Sequence, residues 1–190
     1  PRGTAKLFNS IFQVHPDVPL EFHAHNDLGL ATANVLAAFE TGVQSFSVTV
    51  NGLGERAGNA ALEEVVMAFE YGENCKTGIN TKVFSKLSQY VAKASKRPIS
   101  DSKPITGNLA MAHESGIHTS SILRHRKSYQ LIDADAIGSK ELPFVFGKHS
   151  GRESIRHFFK DISIDISETE CTGILEHVKR QSINLKRAIS

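Results

Sequence analysis

Two histidines stand two apart in Leu20-Glu21-Phe22-His23-Ala24-His25-Asn26-Asp27. Positions two apart in a strand project from the same face. If Pro19 to Ala24 is extended, both imidazoles leave the strand end side by side. Neutral imidazole nitrogens suit Zn, Mn, Fe or Co. Two structural histidines are the plainer alternative. The same-face pair, followed at once by Asn-Asp, favours a metal. Two ligands do not complete a site. Asn59, at the end of a neighbouring loop, offers a third donor from its carbonyl oxygen. Asp27, or a residue outside this chain, offers a carboxylate.

That loop is Gly52-Leu53-Gly54-Glu55-Arg56-Ala57-Gly58, and it follows the apolar run Ser45 to Val50. Its G-x-G-x-x-x-G spacing, with a Glu-Arg pair inside, makes a poor dinucleotide fingerprint. A loop whose backbone approaches a metal or an acyl carrier fits better, with a tight turn as the plain alternative. His113-Glu114-Ser115-Gly116-Ile117-His118 resembles a zincin motif only superficially. Its histidines are five apart, about 140° around a helix, where zincins use four. Either imidazole can act as a general acid or base near neutral pH, and residue type alone favours a structural role. Spacing alone says nothing of Tyr129.

The elements that must position these residues alternate. A helix is expected from Thr4 to Val14, with Leu7, Ile11 and Val14 on its apolar face beside Phe8 and Phe12. A strand follows at Leu20 to Ala24. Next comes a helix from about Gly29 to Thr41, capped by Asn26 or Asp27 and ended by Gly42. A second strand runs from Gln44 to Val50. After the glycine loop, a helix spans Asn59 to Phe69. Two consecutive β-α units of this kind predict a parallel α/β sheet with its chemistry at the strands' carboxyl ends. Lys82 to Ser95 is expected to be helical, with Val83, Leu87, Tyr90, Val91 and Ala94 facing inward. Lys96 to Pro104 reads as a linker, and alternation stops there. Beyond it, helices are expected within Asn108–Arg124 and at Ser154–Lys160 and Glu168–Arg187. A turn or short helix is expected at Asp133–Gly138. These patterns divide the chain into residues 1–95 and a mainly helical part, 96–190.

The 40% apolar and 22% charged composition of these 190 residues is that of an ordinary globular protein. A net charge of +2 without a basic run argues against a nucleic-acid or membrane partner. No apolar run reaches the roughly 20 residues of a membrane span. Cys75 and Cys171 form no motif, which together with nine histidines points to the cytoplasm. The opening Pro1 suggests a piece of a longer protein.

Four motifs carry a family resemblance: Phe22 to Ala31, Val50 to Asn59, His113 to His118, and Gly147-Lys148-His149-Ser150-Gly151. Together they resemble the homocitrate synthase and 2-isopropylmalate synthase family, over about Pro1 to Arg156. The resemblance implies the late strands of a TIM (β/α)8 barrel followed by helical subdomains. It implies an acyltransferase that condenses acetyl-CoA with a 2-oxo acid on a divalent metal (Zn, Mn or Mg) and hydrolyses the thioester. By that resemblance His23, His25 and Asn59 are metal ligands. Glu55 and Arg56 line the substrate pocket. His118 and Tyr129 reach a neighbouring subunit's barrel, in a homodimer, and assist proton removal.

The family's early strand, with its Arg-Asp pair, is missing here. The amino-terminal half of the barrel is therefore an expected partner, and the isolated chain is expected to be inactive. About 40 residues follow Gly151, too few for the regulatory domain of isopropylmalate synthases. That favours homocitrate synthase, with 2-oxoglutarate as acceptor. 2-Isopropylmalate synthase using 2-oxoisovalerate, or a non-catalytic dimerisation fragment, are the alternatives.

Overall fold

The protein is described from a computed structural model, which covers residues 1–111, 131–139, 146–186 and 189. It divides into two compact units. The first holds Pro1–Ser100, Pro104–Thr106 and Ala136–Ser139; the second holds Asp101–Lys103, Gly107–Asp135 and Lys140–Ser190.

In the first unit, helix α1 (Arg2–Val14) leads to strand β1 (Glu21–His23), helix α2 (Ala31–Glu40) and strand β2 (Ser45–Ser47). β1 and β2 are parallel, with Glu21, Phe22 and His23 opposite Ser45, Phe46 and Ser47. Helix α3 (Leu62–Tyr71) and helix α4 (Phe84–Ser95) follow. The α/β character expected from the alternation is present in these parallel strands joined through a helix. Among the described residues the sheet is open and two-stranded, where a TIM barrel has eight strands.

Both strands are shorter than their apolar runs, because the chain changes partner. The carbonyl of Ala24 accepts from Ala60 N–H at 3.0 Å, and Thr49 N–H donates to the Ala60 carbonyl at 3.1 Å. The segment around Ala60 is thus inserted between the ends of β1 and β2. Residues 59–61 are spent on these pairings, so α3 starts at Leu62 rather than at Asn59.

Small residues let the helices approach the sheet. Ala24, Ala31, Val35, Ala60, Val65 and Phe69 form one buried cluster. Phe39 and Phe46 stack around Phe69, with centroids 4.8 and 5.6 Å from its ring. Phe69 is buried and Phe39 and Phe46 partly so, and this trio packs α2 and α3 against β2. A second cluster joins Phe8, Ala38 and Val43, with Ile11 and Phe12 against it. The buried face of α1 is therefore Phe8-Ile11-Phe12. Leu7 and Val14, expected inside, are exposed. In α4 the buried positions are Phe84 and Ser88, whereas Val83 and Tyr90 face solvent. Leu87 and Val91, also expected inside, are half-buried.

The second unit contains helix α5 (Arg152–Asp161) and helix α6 (Glu168–Leu185). Ser167 and Glu170 form a reciprocal capping box at the start of α6. Glu168 receives ion pairs from Arg152 and Arg156 of α5. Gly147 to Gly151 is a turn in which Gly147 N–H donates to the buried Ser150 Oγ at 2.9 Å. Residues 108–111 are turns rather than the start of a helix, and Ala134–Ile137 is one 3-10 turn. The remainder of the Asn108–Arg124 helix expectation, with His113, Glu114, His118 and Tyr129, lies outside the described residues. Cys75 and Cys171 are free thiols. Among the described residues no helix is long and apolar enough to cross a membrane.

Candidate metal centre

The residues that could bind an ion meet where β1 ends. His23 and His25 are both exposed, with the buried Ala24 between them. Their rings stand edge to face, with centroids 5.0 Å apart. His23 is in register with Ser47 of β2, and its Nδ1 lies 3.1 Å from Ser47 Oγ. In the tautomer that donates from Nδ1, this bond fixes the ring and leaves Nε2 as a lone pair. Metal-bound histidines are commonly oriented by such a partner. Ser47 carried no signal in the sequence, although strand register alone would have placed it opposite His23.

Asn59 is brought to this point by the glycine loop. It forms an antiparallel bridge with His25, and its N–H donates to the Gly52 carbonyl at 3.0 Å. Its side chain is held too, since Nδ2 donates to the Leu53 carbonyl at 3.3 Å. The loop wraps so closely that a Cβ on Gly54 would sit 2.6 Å from Asn59 Nδ2. A Cβ on Gly58, at φ +90°, would sit 2.1 Å from the Gly52 carbonyl. The glycines therefore serve Asn59: they let backbone close around its amide.

This arrangement fits a metal ion by one test internal to the structure. Asn59 is 8% exposed, and its Oδ1 is buried with no hydrogen-bond partner. A buried acceptor without a donor is costly. A cation beside the two imidazoles would relieve that cost. Among the described residues no group of three or more His, Cys, Asp or Glu side chains is gathered. A set drawn from them is His23, His25 and the Asn59 oxygen, all neutral donors.

Asp27 does not complete the set as first considered. Its carboxylate is engaged by Arg56, whose Nε lies 3.0 Å from Oδ1 and whose Nη2 lies 3.0 Å from Oδ2. This fork spans the two loops that carry the histidines and Asn59, and Asn26 N–H adds a bond to the Gly58 carbonyl at 2.8 Å. Asn26 Oδ1 also accepts from Ala31 N–H, so it ties the loop pair to the start of α2. Glu55 and Arg56 are exposed at the loop tip.

Hydrogen bonds from Arg56 hold the Asp27 carboxyl below its ordinary value; slight desolvation opposes them, and the charges of Arg56 and His25 add to the lowering. A depressed carboxylate contributes stability above its unfolded value and loses it as pH falls through the folded one. The fork is therefore expected to persist down to pH 3.8, the ordinary value, and to open below it. A carboxyl NMR titration should place the Asp27 midpoint under that value, and Arg56→Ala should return it. A midpoint unmoved by that substitution would dismiss the fork.

Comparison with known proteins finds matches along most of the chain. A family model described as HMGL-like matches residues 1–91, and one described as homocitrate synthase post-HMGL domain-like matches residues 105–185. The chain is similar to 2-isopropylmalate synthase 2 of Caldanaerobacter subterraneus, with 47% identity over 91% of this chain and 45% of that protein. It is 43% identical to homocitrate synthase 1 of Nostoc sp., over 99% of this chain and 48% of that one. It is also 43% identical to a putative (R)-citramalate synthase of Archaeoglobus fulgidus, over 85% and 33%. The chain spans about half the length of the curated relatives it matches. With both signatures in order along its length, the chain belongs to the homocitrate synthase and 2-isopropylmalate synthase family.

Proposed function

We propose that this chain supplies the metal-holding end of an acyltransferase that condenses acetyl-CoA with a 2-oxo acid and hydrolyses the thioester. The observation that carries the reading is the orphaned Oδ1 of Asn59, a residue bridged to His25, whose ring meets that of His23 edge to face. His23 and His25 would hold the ion through ring nitrogens and Asn59 through its amide oxygen. When bound, the ion supplies Lewis acidity toward the oxo acid's carbonyl. Ser47 keeps His23 in one orientation. The Asp27–Arg56 fork keeps the two loops together, and the exposed Glu55 beside it would contact the substrate. His118 would take a proton from the acetyl methyl group with Tyr129 assisting, so that the resulting carbon nucleophile attacks the oxo carbon. Water then releases free CoA.

The strands β1 and β2 would be late strands of a (β/α)8 barrel, with residues 1–95 in it and 96–190 forming the helical subdomain through which a homodimer assembles. 2-Oxoglutarate, giving homocitrate, is the favoured acceptor. Its support is the alignment with the Nostoc homocitrate synthase over nearly the whole chain, and the name of the second family model. 2-Oxoisovalerate is the second reading, supported by the 47% identity to an isopropylmalate synthase.

The test follows free CoA from acetyl-CoA with either oxo acid, using this chain with and without a complementary amino-terminal barrel piece. Metal-dependent release is expected only with the piece present, and faster with 2-oxoglutarate. His118→Ala should lower turnover while leaving oxo-acid binding nearly intact. Absence of release in every combination would defeat the proposal, and full turnover in the variant would remove His118 from it.

A further inference from the structure

One buried polar chain lies behind the glycine loop and is used by none of the steps above. Glu63, in the first turn of α3, is 2% exposed. Its Oε2 accepts from Asn51 N–H at 3.1 Å. Asn51 sits in the left-handed region at φ 61°, a conformation that costs a non-glycine residue energy and persists only where its surroundings impose it. Those surroundings are evident. Asn51 Nδ2 donates to the Ser88 carbonyl of α4 at 2.9 Å, and Ser88 Oγ donates to Asn51 Oδ1. Ser88 is itself buried and lies 3.1 Å from Thr106 Oγ1. Asn51 is thus gripped by α3 at its backbone and by α4 at its side chain. The next residue, Gly52, presents the carbonyl that accepts from Asn59 N–H.

We propose that Glu63 and Asn51 are positioning residues for the Asn59 amide oxygen. The path runs from the Glu63 carboxyl through the strained Asn51 backbone to the Gly52 carbonyl, and from there to Asn59. The physical reason for a buried carboxyl at this place is a demand for an acceptor at a left-handed turn. An apolar side chain would leave the Asn51 N–H unsatisfied and free the turn to relax. The inference rests on the metal reading of Asn59, and its test separates the two.

The full chain is titrated with Mn2+ alone, by calorimetry or by loss of the free-ion electron resonance signal. Amide hydrogen exchange is followed in the same samples without metal. Glu63→Met keeps the volume and removes the acceptor. It is expected to lose Mn2+ affinity by about 10- to 100-fold, the range for residues that orient metal ligands. It should also lose protection at the Asn59 N–H while Val35 of α2 stays protected. Glu63→Gln retains an acceptor and should keep most of both. If Glu63→Met does not fold, Asn51→Gly serves instead. It tolerates the positive φ but lacks the grip on Ser88, and it should show the same two losses in weaker form. Unchanged Asn59 protection in folded variants overturns the proposal. So does lost protection with unchanged Mn2+ affinity. If the unsubstituted chain and Asn59→Ala bind Mn2+ equally poorly, the metal reading fails and takes this inference with it. The exchange arm then still reports whether Glu63 holds the loop, so the two failures are distinct.

Discussion

In the His23→Ala chain, divalent-ion affinity is expected to fall by more than about 100-fold, because loss of a mere orienting partner already costs 10- to 100-fold. The proposed ligand set is small and wholly neutral: His23, His25 and the Asn59 oxygen. Among the described residues no group of three or more His, Cys, Asp or Glu side chains is gathered that would hold the ion in its place. The exposed position of His23 keeps the substitution from disturbing the core, since its neighbour Ala24 fills the buried side of the strand. Titration calorimetry with Zn2+ or Mn2+ reads the effect. His15→Ala, exposed and before β1, is the control and should bind as the parent does. Equal affinity in the His23 and His15 variants would end the metal assignment.

Gly58→Ala is expected to be the most damaging alanine substitution among the loop glycines Gly52, Gly54 and Gly58. Two effects coincide there. The residue has φ +90°, where an L side chain is strained by roughly 1–3 kcal/mol. The new Cβ would also lie 2.1 Å from a backbone carbonyl, which cannot swing aside as a side-chain tip could. Gly52 must move, and Gly52 carries the bond to Asn59. Melting should drop by on the order of 10 °C, given about 4–8 °C per kcal/mol for a domain of 60–100 residues. Metal affinity should fall with it. Gly3→Ala, where nothing lies within 4 Å of the added atom, calibrates the scan. A Gly58→Ala chain that melts and binds as the Gly3→Ala chain does would contradict the close wrapping of the loop.

The parts legible in the sequence were those set by local pattern. The period-two placement of His23 and His25 fixed their common face. Gly42 stopped its helix where expected, just past the end of α2. What could not be read was set by partners distant in the chain. Asn59 to Ala61 have helix-compatible side chains, yet pairing with Ala24 and Thr49 draws them straight. Glu63 carried no signal in the sequence, and its burial in the first turn of α3 goes with the bond it accepts from the left-handed Asn51. Asp27 looked like a metal carboxylate because nothing in the linear order shows Arg56 folding back onto it. Phe8 displaced Leu7 from the core because α1 meets Ala38 and Val43, an approach angle that periodicity does not encode.

The return of Ala136–Ser139 to the first unit bears on how that unit is completed as the chain is made. Thr81 Oγ1 donates to the Ala136 carbonyl at 2.6 Å, Ile137 is 1% exposed, and Gly138 passes so close to the Lys82 carbonyl that no side chain would fit. Among the described residues, the hydrogen-bond partners given above for the loop around Asn59 precede residue 107. A nascent chain emerging from the ribosome can therefore pair its strands and wrap its glycines early. It can seat the stretch before α4 only after some thirty further residues have been added, at synthesis rates of about 5–20 residues per second. For that interval of seconds the underside of Thr81 and Lys82 is open, and a chaperone would find the first unit assembled but not yet latched.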